Sequence, residues 1–389
     1  MKVLFFRYKS ICESGMLKAF HQYGIETDEV MEIDKKNNKL PPKEIVQKID
    51  HALSANNYSF VFSINFNPHV SNVCNVYQIP YMCLIVDSPV LSLYSEAIKN
   101  DCNRIFLFDR ALYNEFHQYN PTRIFHIPLA TDVQHMDKII ASNNTNKFAC
   151  DISFVGSLYT EKTRFSLKNS KDEYLNGYID ALIEAQLKIY GCYFIDNIIT
   201  DELADKLLKL MPVQYFFTED YRADYKALIS QYYLGYKISA EERVRTFKAL
   251  SSKYNIDLYT GSDTSELPLI NNRGLADSNK HMPLIFNRSS INLNITAKSI
   301  RSGIPLRVFD ILACGGFALS NYQAEIPEFF TVGEHLDVYE SIEDLDDKIH
   351  YYLEHPSIRK EMAQAGYEYV KNNHTYTIRL AQMISIAFK

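Results

Sequence analysis

The chain has 389 residues, of which 47% are hydrophobic and 23% charged. This is ordinary globular usage that excludes wholesale disorder and, at ~150 residues per domain, suggests two or three domains. Forty-one Lys and Arg against 47 Asp and Glu leave a net charge of −6, which excludes a globally basic nucleic-acid binder.

The first ten residues, MKVLFFRYKS, carry a short apolar run followed by charge and read as a buried strand, not a secretion signal. The longest uncharged apolar stretch, residues 79–86, is far short of the ~20 residues that span a bilayer. Seven cysteines, Cys12, Cys74, Cys83, Cys102, Cys150, Cys192 and Cys314, are odd in number and contain no Cys-x-x-Cys pair, the pattern of reduced thiols. A soluble, cytoplasmic protein is expected.

Apolar runs at 3–6, 28–33, 58–64, 81–86, 104–108 and 123–127 alternate with helical patterns near 11–23, 42–56, 69–78, 92–100 and 110–119. This is the βαβ rhythm of a parallel sheet covered on both faces. The pattern predicts a first Rossmann-like domain over 1–141. A polar linker at 142–149, containing Ser142-Asn-Asn-Thr-Asn-Lys147, follows it. A second Rossmann-like domain over 150–374 begins with a strand at 150–155. It resumes at 256–259, 291–295, 317–320 and 335–339, with helices near 304–314, 341–355 and 357–372. Residues 165–253 read as a helical insertion, clearest at 174–190, 201–210 and 240–254. The charges Glu241, Glu242, Arg243 and Arg245 suggest a solvated face in the last of these. The tail 375–389 is amphipathic and is expected to pack back on the first domain.

Ligands of open parallel sheets bind beyond the carboxyl ends of the strands. In the first half that topology selects Tyr8, Asn65, Asn67, His69, Asp87 and Asp109. In the second it selects Gly156 and Ser157, Gly261 and Ser262, the stretch from Thr296 to Gly303, and Asn321 and Tyr322. The densest stretch, 291–316, runs from a buried strand through Lys298, Arg301, Ser302 and Gly303 into a helix starting near Pro305. An unpaired helix start favours an anion there. Arg301 and Arg307 suit forked contacts to a diphosphate, and Asp310, one turn on, suits the two hydroxyls of a ribose. The same spacing also fits an ordinary strand-loop-helix with a surface Arg–Asp pair. Arg164, soon after the Gly156 turn, adds a further cation, and Tyr259 and Gly261 are placed to approach a base. Asp344-Leu-Asp346 is the one Asp-x-Asp triplet weighed as a metal motif, and it reads as the acidic first turn of a helix. For a general base the candidates are Asp87, which ends an apolar strand before Ser-Pro, and His69, which begins a helix. Both also fit plain capping or turn roles.

The run Gly-Ile-Pro-Leu-Arg-Val-Phe-Asp-Ile-Leu-Ala-Cys-Gly-Gly-Phe at 303–317 resembles the donor-site segment of GT-B glycosyltransferases, the CgeB-like spore-maturation branch in particular. Residues 286–296, 152–157, 81–89 and 351–356 resemble the same branch in the same order. The resemblance implies two facing Rossmann-like domains with a helical insertion in the second. It also implies transfer of a sugar from a nucleoside diphosphate, most readily UDP, to a surface glycan or glycoprotein, with no metal or other cofactor. Asp310 matches the ribose-binding carboxylate of that segment. The other member of the family's acid pair falls on Ser302, so a role for that acid, and retaining stereochemistry, do not carry over. A nucleotide-sugar epimerase and a non-catalytic sugar- or nucleotide-binding partner are the competing readings.

Overall fold

A computed structural model describes residues 1–34, 36, 38–168, 170–210 and 224–389. The described residues form two units, one from 1–131 with 374–389, the other from 132–210 with 224–373.

The first unit holds a six-stranded, all-parallel sheet in the order β2-β1-β3-β4-β5-β6. Its strands are β1 (Lys2–Arg7), β2 (Glu26–Met31), β3 (Phe60–Ile64), β4 (Tyr81–Leu84), β5 (Asn103–Leu107) and β6 (Ile124–His126). β3 and β4 are buried along their whole length, which is why they read as continuous apolar runs. Edge strand β2 is half-exposed and lies two residues earlier than its apolar pattern suggests, because pairing with β1 sets its register, Lys2 opposite Glu26. Helices α1 (Glu13–Gln22), α2 (Pro42–Ala55), α3 (Pro68–Tyr77) and α4 (Arg110–Phe116) connect the strands. The helix expected near 92–100 is instead two 3₁₀ turns, Leu91–Tyr94 and Glu96–Lys99. Ser95 separates them: its backbone is extended and its hydroxyl accepts the Ala97 N–H.

The C-terminal helix, Tyr376–Ala387, packs on α1, where a Cβ on Gly15 would collide with the Tyr376 ring. Buried Arg379 fastens it by donating from Nη2 to the Leu129 carbonyl at 3.0 Å and to His374 Nδ1 at 2.8 Å.

The second unit holds another six-stranded parallel sheet, β12-β11-β10-β7-β8-β9. Helix α5 (Val133–Ala141) belongs to this unit and packs on α11 (Met282–Arg288) and α12 (Leu306–Ala313). The strands are β7 (Cys150–Val155), β8 (Ile256–Tyr259), β9 (Asn271–Asn272), β10 (Ser289–Asn294), β11 (Ala318–Asn321) and β12 (Asp337–Tyr339). Between β7 and β8 the chain is largely helical: α6 (Glu173–Leu187), α7 (Ile195–Ile198), α8 (Asp201–Leu208) and α9 (Tyr225–Ala227). α9 continues through a π-helical segment, Leu228–Leu234, into α10 (Gly235–Ser251). The part of the expected helical insertion at 169 and 211–223 lies outside the described residues. Short α13 (Ile326–Phe329), then α14 (Ile342–Glu354) and α15 (Pro356–Asn373), complete the unit.

One expectation is overturned. The α10 face carrying Glu242 and Arg243 is not solvated, since those side chains are buried with Ile238, Ser239, Thr246, Phe247 and Leu250. Phe247 and Leu250 enter the sheet core with Phe154, Leu258 and Ile291.

Candidate functional site

At the carboxyl end of β10, Asn294 Nδ2 donates to Thr296 Oγ1 at 3.0 Å and to Ser320 Oγ at 2.8 Å. The Thr296 N–H donates to Asn321 Oδ1 at 2.8 Å, so the root of the following loop is stapled to the end of β11. The loop enters α12 through Pro305, whose backbone is extended and which offers no side-chain acceptor to the amides at the positive end of the helix, where the Val308 N–H turns back to the Pro305 carbonyl at 3.1 Å. Gly315, at φ +64°, ends α12, and a Cβ on Gly316 would sit 2.5 Å from the Phe286 carbonyl. Asp310 is buried in α12, its Oδ2 3.7 Å from Arg307 Nη1. The Arg307 guanidinium lies over the Phe286 ring at 5.3 Å.

Three of the cations expected to meet a diphosphate already face a carboxylate. Besides the Arg307–Asp310 pair, Lys298 Nζ is 2.8 Å from Glu242 Oε1, and Arg301 Nη1 is 2.9 Å from Asp196 Oδ2 in α7. Lys298 also lies 4.9 Å from the centre of the Tyr190 ring. Arg164 is exposed and makes no hydrogen bond or ion pair with the described residues. Ser302 donates its hydroxyl to Glu325 Oε1 at 2.7 Å, so a buried carboxylate sits beside the position where the resemblance lacks one. Gly303 follows it, buried.

The ends of β7 and β8 are tied to each other. The Gly156 N–H donates to the Tyr259 carbonyl at 3.1 Å, and the Leu158 N–H to Ser262 Oγ at 2.8 Å. Glu161 accepts from Ser157 at 2.6 Å and from Ser262 at 2.8 Å. Burial pushes its carboxyl up, but these bonds outweigh burial and hold it below the ordinary range. Burial raises the Tyr259 phenol to about 12, and a Cβ on Gly261 would sit 3.1 Å from Leu275 Cδ2. Sequence reasoning brought Gly156, Ser157, Tyr259, Gly261 and the 298–310 segment to these neighbouring strand ends. It missed Glu161, Ser239, Glu242 and Arg243. For the three on α10 a signal existed: positions 235, 238, 239, 242, 243, 246, 247 and 250 recur at helical spacing on one buried face.

In the first unit the candidate base is part of a network at the carboxyl ends of β1, β3 and β4. Asn65, with φ +56°, donates from Nδ2 to Asp87 Oδ2 at 2.6 Å and to Tyr8 Oη at 2.8 Å. Its Oδ1 accepts the Val86 N–H at 2.9 Å. Burial, then the Asp87 charge, push the Tyr8 phenol up. His69 stands in the first turn of α3, where Asn67 Oδ1 accepts its N–H at 3.0 Å.

Asp344 and Asp346 lie on α14 and are engaged locally. Asp344 Oδ2 accepts the Glu340 N–H at 3.0 Å, and Asp346 Oδ1 accepts the Tyr254 hydroxyl at 2.8 Å. Among the described residues, no group of three His, Cys, Asp or Glu side chains is arranged to hold a metal, and no helix is long and apolar enough to cross a membrane.

Residues 243–385, from α10 to the C-terminal helix, match the family model described as glycosyl transferase-like. No curated protein matches the chain in sequence. Among solved structures, a glycosyltransferase from Rickettsia africae ESF-5 is similar over 99% of this chain and 97% of its own, at 10% identity and a TM-score of 0.52. Sucrose-phosphate synthase from Thermosynechococcus elongatus is similar over 100% and 99%, at 10% identity and a TM-score of 0.52. T4 phage BGT in complex with its UDP-glucose substrate is similar over the whole of both chains, at 12% identity and a TM-score of 0.52. The chain has the two-domain, Rossmann-like GT-B fold.

Proposed function

We propose that the protein is a glycosyltransferase of the CgeB-like branch that moves a sugar from a nucleoside diphosphate, UDP first among them, to a surface glycan or glycoprotein acceptor in the cytoplasm. One observation carries the reading. Within the segment that matches the glycosyl transferase-like model, a strand-loop-helix ends in an uncapped helix start, and buried Asp310 follows one turn later. Asp310 accepts the ribose hydroxyls. The first amides of α12, Arg307 and Arg164 take the diphosphate, and Lys298 and Arg301 shape the loop through their carboxylates. Gly156, Ser157, Tyr259 and Gly261 approach the phosphates and the base.

In the reaction the acceptor oxygen forms a bond to the anomeric carbon. The bond from that carbon to the diphosphate oxygen breaks, and its electron pair leaves with the nucleoside diphosphate. The proton of the acceptor hydroxyl passes to Asp87, with His69 the second candidate base. Fixed amides and cations stabilise the charge developing on the leaving group without a metal.

The test is a thermal-shift screen against UDP, GDP, dTDP, CDP and their sugars, with and without EDTA, followed by an assay for released nucleoside diphosphate. A ligand that binds only the folded chain raises its melting temperature. A shift that persists in EDTA together with diphosphate release supports the reading. Conversion of the donor sugar without release indicates an epimerase, and binding without turnover indicates a non-catalytic partner. No shift with any nucleotide removes the donor site.

A further inference from the structure

β7 and β10 are neighbours, yet the chain continues from β7 toward β8 on one side and from β10 toward β11 on the other, which makes their ends the switch point of this sheet. A single side chain bridges them from behind. Arg243, on α10 and 7% exposed, donates from Nη1 to the Ser157 carbonyl and from Nη2 to the Ile295 carbonyl. Its guanidinium lies 5.3 Å from the Phe154 ring centre and 4.6 Å from that of Tyr159, whose own backbone has φ +67°. One helical turn earlier, Ser239 Oγ accepts the Lys298 N–H at 2.8 Å and donates to the Gly235 carbonyl at 2.6 Å. The same face of α10 therefore grips the end of β7 once and the loop after β10 at three points, through Ser239, Glu242 and Arg243.

We infer that Arg243 is the positioning residue of the nucleotide site: its planar fork fixes the Ser157 and Ile295 carbonyls relative to each other, and so fixes the spacing of the two backbone segments that a nucleoside diphosphate contacts together. This rests on the donor site proposed above. A guanidinium does this and an ammonium does not, because its donors are held in one rigid plane.

Hydrogen exchange and calorimetry on the full chain test the assignment, comparing wild type, Arg243→Met, Arg243→Lys and Leu250→Ala. Leu250 is buried on the same helix and serves as the control for general loss of packing. Arg243→Met is expected to speed exchange of the Gly156, Thr296 and Lys298 amides at least tenfold while β11 stays protected. It is also expected to weaken UDP binding at least tenfold. Leu250→Ala lowers the melting temperature but leaves UDP affinity at the wild-type value, and Arg243→Lys, whose ammonium cannot hold both carbonyls in one plane, follows Arg243→Met. Unchanged protection of the three amides overturns the inference. So does faster exchange with undiminished UDP affinity, or an equal loss of affinity in Leu250→Ala. If the wild type binds no nucleoside diphosphate, the donor site and its positioning residue both fall, while the exchange data alone still show whether Arg243 joins the strand ends. If Arg243→Met does not fold, Arg243→Lys carries both readouts.

Discussion

Lys298 Nζ lies 2.8 Å from Glu242 Oε1, with both side chains more than nine-tenths buried, so the loop that leaves β10 is bound to α10 by a charge pair out of water. Desolvation opposes such a pair and mutual attraction offsets it, so breaking one half costs more than replacing both. Glu242→Ala is expected to destabilise the second unit by about 3–5 kcal/mol because it strands the ammonium. The double variant Glu242→Met/Lys298→Met should recover most of that loss. Urea unfolding of Glu242→Met, Lys298→Met and the double variant measures the coupling. A loss below ~1 kcal/mol in Glu242→Ala, the range of exposed pairs, would mean that Lys298 is solvated.

The parallel sheets were legible because buried strands leave apolar runs, as at β3, β4, β7 and β10. β9 left no signal: it is two residues long, Asn271 and Asn272, at a sheet edge. The charges of α10 misled for a physical reason. Glu241 does form surface pairs with Lys237 and Arg245 at i±4, and Glu242 and Arg243, next in sequence, turn inward to partners more than 50 residues away. The strand-loop-helix from β10 to α12 could be read because its pattern is local. The partners of Lys298 and Arg301, Glu242 and Asp196, come from the long helical stretch between β7 and β8, and no spacing in the chain announces them.

Asp310→Ala should weaken nucleosides and nucleoside diphosphates alike. Two hydroxyl bonds to a carboxylate are lost, at roughly 1.5 kcal/mol or more each, so affinity should fall about a hundredfold or more. Arg307→Ala should instead weaken the diphosphate more than the nucleoside. Calorimetric titration with UDP and uridine separates the two. Unchanged UDP affinity in Asp310→Ala would remove Asp310 from the ribose, and equal losses for both ligands in Arg307→Ala would remove Arg307 from the phosphates.

Asp87→Asn should abolish transfer and leave donor affinity intact, since Asp87 and the donor residues lie in different units. Asn65→Ala removes the amide that donates to Asp87 Oδ2 and so releases the carboxylate from the position that bond holds. Its turnover should therefore fall while donor affinity stays unchanged. Wild-type turnover in Asp87→Asn would eliminate it as the base, and wild-type turnover in Asn65→Ala would eliminate the coupling between them.

His374 gives a prediction independent of any ligand. Burial, and then the Arg379 charge, lower its pKa from the ordinary 6.5 to about 3, and its Nδ1 accepts the Arg379 bond only while it lacks a proton. The folded value lies below the unfolded one, so the unfolded chain takes up the proton first. The contribution of His374 is therefore complete above pH 6.5 and is lost as pH falls toward about 3, at up to ~1.4 kcal/mol per pH unit. Between pH 6.5 and 5 the wild type should lose about 2 kcal/mol from this group. His374→Gln keeps an acceptor for Arg379 and cannot take up a proton, so it should escape that loss while being somewhat less stable at pH 7.5. Urea unfolding of both proteins at pH 7.5, 6.5 and 5 isolates the difference. Parallel pH dependence in the two would mean that the imidazole is not held neutral against the C-terminal helix.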